Sequence, residues 1–352
     1  MFEANVHSKS QIRWKTVSPE CFQEVCAVLG EDYNIYRVQL VKQVDEWEQA
    51  SNNYRVEYYR EPGESSRQIL LRRHILQGPD EIIVSTEVIR HLRQRMIPTP
   101  AVFLAYADRR FVKRGDQYWQ MSEFVAGNHF SGEEGELSQV AMLIAEMHEA
   151  LDTVSPLRWS VAGLDQTYPL DLDCWTAGHD LQGENAFEDF VMMRLSFLQE
   201  ASARIANALL PVARKNEMIH ADLHPQNFLF PPLQRCVVID FGNICFADHR
   251  YDIAMALHRL VRQYVVYQGK PWQETLSRGI EIFVRAYGSI DPSVAQSTEI
   301  LPKFMSALLL RKMAYNFGLY QRGARKWEVC LSQCTKFYGF LEEADAIAAI
   351  LI

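Results

Sequence analysis

The spacing of apolar residues changes along the chain from the two-residue period of strands to the wider period of helices. Up to about residue 125 most apolar runs are short, alternate with polar residues and are separated by turn sequences. Beyond it, apolar residues recur at helical spacing over long segments. The candidate strands of the first part are Tyr36–Leu40, Asn53–Arg60, Arg67–His74, Val102–Tyr106 and Gln117–Val125. The pattern predicts a small antiparallel sheet followed by a mainly helical region.

Two helices interrupt the strand-like part. Ser18 and Pro19 are typical of a helix start, and Gly30 predicts the end of that helix. Residues 80–96 form the second, because apolar residues recur there at every fourth position. These positions are Val84, Val88 and Leu92. Two segments after residue 126 show the same periodicity, with apolar faces at Val140, Leu143, Ile144, Met147 and Leu151, and at Phe190, Val191, Leu198, Ile205 and Leu209.

One stretch concentrates polar side chains at the ends of short apolar runs. Met218-Ile219 is followed by His220-Ala221-Asp222-Leu223-His224-Pro225-Gln226-Asn227, and Val237-Val238-Ile239 is followed by Asp240-Phe241-Gly242. The order of a His-x-Asp loop, a later Asn and an Asp-Phe-Gly is that of the catalytic and metal loops of kinases. Each residue by itself is also ordinary for a loop, but the combined order favours function.

This order predicts transfer of a phosphoryl group from ATP. Asp222 is the candidate base, which orients the attacking hydroxyl and accepts its proton. Asn227 and Asp240 are the candidate ligands of Mg²⁺, because this ion prefers oxygen donors. His220 is expected to support the loop.

The stretch from His220 to Asn227, with Ile239-Asp240-Phe241-Gly242 and residues 248–254, resembles the aminoglycoside phosphotransferase superfamily. That group includes type II homoserine kinases and choline and ethanolamine kinases. The resemblance implies an α+β, bilobal, protein-kinase-like fold. Residues 1–125 are then the N-terminal lobe, residues 119–127 contain the hinge, and residues 126–352 form the helical C-terminal lobe.

The resemblance also implies a nucleotide site in the first lobe. Asn53, with Ser51 and Asn52, occupies the place of the loop that covers the phosphates. Arg72 or Arg73 replaces the usual phosphate-binding Lys, and Arg72 is favoured. Glu87 is expected to pair with this Arg, although pairing with Arg90 or His91 is an alternative. Glu123, Phe124 and Val125 are the expected contacts of adenine.

Three further positions leave alternatives open. Asp252 either fixes the catalytic region, as its counterpart does in the family, or only caps a helix together with Asp248. His148 is expected to be a packed or capping residue. Residues 152–185 mix aromatic and acidic side chains and are either a substrate-facing loop or a surface loop held by its Trp residues.

Composition narrows the class of protein. The 352 residues carry a net charge of −8. This charge disfavours a nucleic-acid partner, because binding to the phosphates of DNA or RNA depends on clustered Lys and Arg. Whole-chain charge is also mildly compatible with a cationic substrate. The seven cysteines are sparse and odd in number, which favours free thiols in a reducing compartment. We find neither a signal peptide nor an apolar run long enough for a membrane span, and we expect a cytoplasmic protein without a membrane partner.

The leading functional hypothesis is a kinase that phosphorylates a hydroxyl of a small molecule, such as an amino acid, an amino alcohol or an aminoglycoside. A protein Ser/Thr kinase is the first alternative, but the short segment between Gly242 and Asp252 leaves little room for a peptide platform. A nucleotide-binding pseudokinase is the second. The intact Asp222, Asn227 and Asp240 argue against it.

Overall fold

The structure is a computed structural model that describes residues 13–30, 33–42, 51–59, 61, 63–74, 77–103, 110–154, 173–213 and 217–351. Its first part contains strands β1 (Arg13–Thr16), β2 (Asn34–Lys42), β3 (Ser51–Tyr59), β4 (Arg67–His74), β5 (Val102–Phe103), β6 (Val112–Arg114) and β7 (Gln117–Glu123), with helices α1 (Pro19–Leu29) and α2 (Pro79–Gln94). The antiparallel sheet has the order β1-β2-β3-β4-β7-β5, and β6 pairs with β7. Over the described residues, the predicted strands and both predicted helices are therefore present, while residues 60 and 104–106 of two predicted strands lie outside that part of the chain.

The second part is mainly helical. It contains α3 (Glu134–Leu151), α4 (Ala186–Leu209), α5 (His249–Gln268), α6 (Trp272–Gly288), α7 (Val294–Ser297), α8 (Leu301–Gln321) and α9 (Trp327–Leu351). Its short strands are β8 (Asn128–His129), β9 (Glu217–Ile219), β10 (Phe228–Phe230), β11 (Val237–Val238) and β12 (Cys245–Ala247). The expected α+β architecture, a sheet lobe followed by a helical lobe, is confirmed.

Two hydrophobic cores organise the described residues. In the smaller core, α1 covers one face of the sheet and buries Val25 against Tyr54, Leu71 and Trp119. The Ser18 side chain caps α1, and Gly30 follows its last residue as predicted. The larger core contains the apolar faces predicted for α3 and α4, and every residue named on those two faces is buried.

Helix α2 belongs to the larger core, although along the chain it lies between strands of the sheet. Val84, Val88 and Leu92 are buried in this core. His91 also lies within hydrogen-bonding distance of the Ala150 carbonyl (3.0 Å) and the Thr153 hydroxyl (2.9 Å) after α3. Helix α2 is thus packed against the helical lobe, although it is connected along the chain to strands of the sheet.

Gly127 allows the two lobes to approach closely. A Cβ atom at this position would lie 2.9 Å from the backbone of Phe230 and Pro231, a contact that no side chain tolerates. The chain between β7 and β8 therefore passes directly over the end of β10. Within the part of the chain that the structure describes, no helix is both long enough and apolar enough to span a membrane.

Most of the predicted 152–185 segment lies outside the described residues. From Asp173 to Asp180 the chain forms a 3₁₀ helix. Trp175 is buried there, stacks on Phe317 with 5.5 Å between ring centroids and donates to the Ser202 hydroxyl. This end of the segment is held by its Trp, as one of the two sequence-based alternatives expects.

Candidate active site

Short strands bring the polar residues of the central motif together. Strands β10 and β11 pair antiparallel, with Phe228 opposite Val238. The amide of Ile239 donates to the Asn227 carbonyl at 2.9 Å, so Asn227 and Asp240 lie side by side where the two strands end. The Asn227 amide group donates to the backbone carbonyl of Asp222 at 2.7 Å. Asp222, Asn227 and Asp240 therefore occupy one site.

Asp222 is surrounded by donors from three parts of the chain. Its carboxylate lies 3.4 Å from Lys312 Nζ on α8, 3.5 Å from His224 Nε2 and 3.5 Å from Asn243 Nδ2. His224 Nδ1 accepts the Gln226 amide, which leaves the ring proton on Nε2, facing Asp222. Burial by itself would raise the pKa of the Asp222 carboxyl, but the charge of Lys312 and the interactions of His224 hold this pKa below its usual value. Asp222 is therefore an ionised acceptor facing the site.

Asn227 and Asp240 present oxygen atoms suited to a hard cation. The Asn227 nitrogen is engaged with Asp222, so its side-chain oxygen is the group left for a ligand. The Asp240 side chain is 40% exposed, and one of its oxygens accepts from Arg72 at 2.8 Å. Among the described residues there is no cluster of three or more His, Cys, Asp or Glu with metal-ligating geometry. This donor set fits Mg²⁺, which takes one or two protein oxygens together with phosphate oxygens and water.

Arg72 and Arg73 point to opposite faces of β4. Arg72 donates through Nε to Asn53 Oδ1 at 2.9 Å and through Nη1 to Asp240 Oδ1 at 2.8 Å. Arg73 lies 3.6 Å from Glu24 of α1 and stacks over Trp119. The structure thus directs Arg72 to the site between the lobes and Arg73 to the outer face.

The placement of Asn53 in a phosphate-covering loop was wrong. Residues 51–53 lie within β3, where Asn53 pairs with Arg72 across to β4. Alternation along the strand turns the Asn53 side chain to the same face as Arg72, which explains their hydrogen bond. Asn53 orients Arg72 in this structure.

The expected pairing of Glu87 with Arg72 is not formed. Glu87 instead accepts hydrogen bonds from Arg90, one turn further along α2, and from Arg110. An i, i+3 partner on the same helix is always within reach, whereas the pairing with β4 requires a particular helix orientation. The alternative expectation, a local pair with Arg90, describes the structure, and Asp240 takes the place of Glu87 as the anion beside Arg72.

Asp252 fixes the backbone of the catalytic loop. Its carboxylate accepts the amides of His220 at 2.7 Å and Ala221 at 2.8 Å, and His148 Nε2 lies 3.3 Å from it. Ala221 has a φ of 63°, which an L-residue adopts only when the surroundings impose it. Asp248, in contrast, caps α5 by accepting the Arg250 amide.

His220 lies beneath the site. It is fully buried, and its Nε2 atom lies 3.0 Å from the Ile239 carbonyl, next to Asp240. Its ring also packs against Phe241 of the same segment. His220 therefore joins the catalytic and metal loops from below and supports them, as expected.

The predicted hinge leaves β7 at Glu123. The Glu123 amide donates to the Ala101 carbonyl at 2.7 Å, and its carboxylate accepts the Ala101 amide at 3.0 Å. Glu123, Phe124 and Val125 line a cavity of about 460 Å³ on the side of α2, together with Arg93, Pro98, Thr99, Ala126, Pro231, Pro232, Gln234 and Val237. Because this cavity contains none of Arg72, Asp222 and Asp240, it is separate from the catalytic site. The contacts of Glu123, Phe124 and Val125 with adenine stay predictions.

Sequence reasoning missed Lys312 and Asn243. Lys312 is 90 residues from Asp222 along the chain and sits in a helix whose pattern indicates only packing. Asn243 directly follows the Asp-Phe-Gly sequence, so its position next to the motif was the available signal.

Comparison with known proteins agrees with this arrangement. The sequence profile of the APH phosphotransferase enzyme family matches residues 46–292, more than half of the chain. No curated protein matches the sequence.

Several solved structures share the fold. A structure of amicoumacin kinase hAmiN with AMP-PNP, Ca²⁺ and Ami has a TM-score of 0.63 at 16% identity and covers 94% of each chain. A structure of the spectinomycin phosphotransferase APH(9)-Ia with ADP and spectinomycin has a TM-score of 0.66 at 15% identity, covering 94% of this chain and 98% of that one. The ethanolamine kinase of Plasmodium vivax has a TM-score of 0.56 at 11% identity, covering 85% and 81%. At these identities the likeness shows the bilobal kinase-like fold, and the profile match shows that the chain belongs to the APH phosphotransferase enzyme family.

Proposed function

We propose that this protein transfers the γ-phosphoryl group of ATP to a hydroxyl of a small molecule. The observation that carries the proposal is the convergence of Asp222, Asn227 and Asp240 at the ends of adjacent strands, with Arg72 reaching Asp240 from the sheet. These are the parts that phosphoryl transfer requires, namely an oriented carboxylate, metal ligands and a cation for the phosphates.

Each residue has a defined task in the proposed reaction. Arg72 holds the phosphates of ATP, and Asn227 and Asp240 would hold Mg²⁺. When bound, this ion neutralises charge on the phosphate oxygens. Asp222 orients the acceptor hydroxyl, whose oxygen forms a bond to the γ-phosphorus while the bond to the β,γ-bridging oxygen breaks and ADP leaves. The hydroxyl proton passes to Asp222 late in the transfer, so a carboxylate with a lowered pKa is adequate.

The segment after the metal loop favours a small acceptor over a protein. Residues Cys245–Ala247 form β12, which pairs with β9, and α5 begins at His249. The chain between Gly242 and α5 is thus committed to the sheet beneath the catalytic loop and offers no surface on which a peptide can lie. The relatives reported above are, by name, kinases of small molecules, which agrees with this proposal.

The test is ADP release from Mg²⁺-ATP in the presence of homoserine, choline, an aminoglycoside or a generic protein, with Asp222→Asn as the control. We expect one class of small acceptor to stimulate release, and we expect both chelation of Mg²⁺ and the variant to abolish that stimulation. Stimulation by the protein alone would favour the protein-kinase alternative. Turnover by Asp222→Asn close to that of the wild type would remove Asp222 from the role of base.

A further inference from the structure

Two basic side chains of the helical lobe, Lys312 and Arg259, lie over the neighbouring rings of Phe337 and Phe340 on α9, and Lys312 also reaches Asp222. Lys312 on α8 lies 3.4 Å from the Asp222 carboxylate and remains 31% exposed. Its Nζ atom also lies over the ring of Phe337 on α9, 5.9 Å from the centroid. Because α8 and α9 pack against each other, Lys312 is held at this wall by both helices.

Arg259 on α5 adds a second cation to the same wall. Its guanidinium lies over the ring of Phe340 on α9, 5.1 Å from the centroid. Within the described ranges Arg259 makes no hydrogen bond or ion pair, although it is only partly exposed. Burial and the charge of Arg262 lower the pKa of Arg259 to about 10, although the charges of Asp222 and Glu343 act in the opposite direction. Because an unpaired charge is costly to bury, an anion that binds beside Arg259 would be stabilised.

The nearest carboxylate on α9 is already neutralised. Glu343 accepts from Arg262 Nε at 3.1 Å and lies 3.1 Å from His258 Nε2. The Glu343 side chain is almost fully buried, so its carboxylate interacts with these two partners and not with solvent. Arg259 and Lys312 are therefore the groups on this wall that are able to meet a ligand.

We propose that the acceptor is an anion, whose carboxylate or phosphate group binds Arg259 and Lys312 while its hydroxyl lies at Asp222. This inference rests on the phosphotransferase function proposed above and names its substrate class. The planar fork of an Arg and the point charge of a Lys together match a carboxylate or a phosphate. A polycationic acceptor would meet two like charges here and be repelled.

The first experiment compares acceptors that share a hydroxyl and differ in the charge of the other end. With Mg²⁺-ATP, ADP release is measured for 4-hydroxybutyrate, 4-hydroxybutyramide and 4-aminobutan-1-ol, and for glycerol 3-phosphate against glycerol. We expect a carboxylate or a phosphate to stimulate release over its uncharged counterpart, and the pair that responds identifies the anion. Equal or greater stimulation by the amide or the amine, with none by either anion, overturns the proposal.

The second experiment removes the Arg259 charge. We expect Arg259→Gln to raise KM for the anionic acceptor about ten- to hundredfold, the loss typical of a hydrogen bond to a charged group. The KM for ATP and the kcat at saturating acceptor should change little, because Arg259 touches neither the nucleotide site nor the Asp222 carboxylate. Arg285→Gln on α6, an exposed Arg paired only with Glu281 in the described structure, is the matched control and should leave all three constants unchanged.

The outcomes separate the two proposals. An unchanged acceptor KM in Arg259→Gln would show that this residue does not bind the acceptor. Stimulation by cationic acceptors alone overturns the anionic class and leaves the phosphotransferase function standing. Failure of the protein to bind Mg²⁺-ATP, measured by calorimetry, overturns both.

Discussion

Arg72 carries a permanent charge into the site, and two side chains fix where that charge lies. Its Nε atom is held by Asn53 and its Nη1 atom by Asp240, so the guanidinium spans from the sheet to the metal loop. Arg73, the next residue, faces α1 instead. This pair of neighbours provides an internal comparison.

We expect Arg72→Ala to raise KM for ATP at least about tenfold, because a charge-assisted contact to phosphate contributes about 1.5–3 kcal/mol. Arg72→Lys should recover part of the loss, since it restores the charge but not the bond to Asn53. Initial rates over a range of ATP concentrations provide the measurement. Arg73→Ala is the control, and a rise in its KM equal to that of Arg72→Ala would contradict the assignment.

At the residue scale, sequence and structure agree on which side chains come together where a motif sets the spacing, and they differ where tertiary packing chooses the partner. The His220–Asn227 loop and Asp240 come together because short strands follow the motif directly. The partner of Glu87 depends on how α2 rotates against the sheet, and spacing along the chain carries no information on that rotation. Lys312 reaches Asp222 for the same kind of reason, through packing of a distant helix.

At the scale of elements, the catalytic loop depends on the start of α5. Asp252 accepts the amides of His220 and Ala221 and faces His148, and all four residues are buried. Burial would raise the pKa of Asp252, but the hydrogen bonds from His148 and the His220 amide lower it below its ordinary value. Its contribution to stability is therefore present above the unfolded pKa of about 3.9 and is lost as the pH falls through the lower folded pKa.

We expect Asp252→Asn to lower the free energy of unfolding by about 3 kcal/mol at pH 7, because one partner of a buried charged network is removed. The difference from the wild type should shrink on acidification below about pH 4, and kcat should fall together with stability. Urea unfolding at several pH values and steady-state turnover test this. Asp291→Asn is the control, because Asp291 likewise accepts a backbone amide, that of Ser293, but at a more exposed position. A pH-independent difference would contradict the role given to the Asp252 charge.

Helices were predicted best where apolar residues recur at helical spacing over several turns. The ends of α1 agree with its Ser18-Pro19 and Gly30 signals because capping and glycine chemistry are local. The sequence leaves open whether Asp252 fixes the catalytic loop or only caps a helix together with Asp248, because both residues suit a helix start. Only the fold shows that Asp252 accepts a loop amide.

At the scale of the molecule, the two hydrophobic cores meet along α2 and the hinge. The smaller core contains the sheet and α1, while α2 packs in the core of the helical lobe. In the described structure Arg72 of β4 bonds to Asp240, and Gln77, in the connection between β4 and α2, donates to the Gly242 carbonyl. We therefore expect the sheet with α1 to be less stable against local opening than the helical lobe with α2.

We expect hydrogen exchange of β3 and β4 to be faster than that of α5 and α8 without nucleotide, because smaller cores open more readily. Mg²⁺-ATP should slow exchange in β3 and β4 most, since its phosphates bridge Arg72 and the metal loop. Mass spectrometry of peptides from the two lobes provides the comparison. Uniform exchange across both lobes, with no response to nucleotide, would contradict this division.

The guanidinium of Arg72 has a consequence for chemical profiling of kinases. Acyl-phosphate analogues of ATP mark nucleotide sites by acylating a neighbouring lysine amine, and a guanidinium stays protonated and does not react in this way. At the β4 position where kinases carry that amine, this protein presents Arg72. A survey that reads only this strand position would therefore miss the protein even with ATP bound, whereas Lys312, 3.4 Å from Asp222, offers an amine elsewhere in the site.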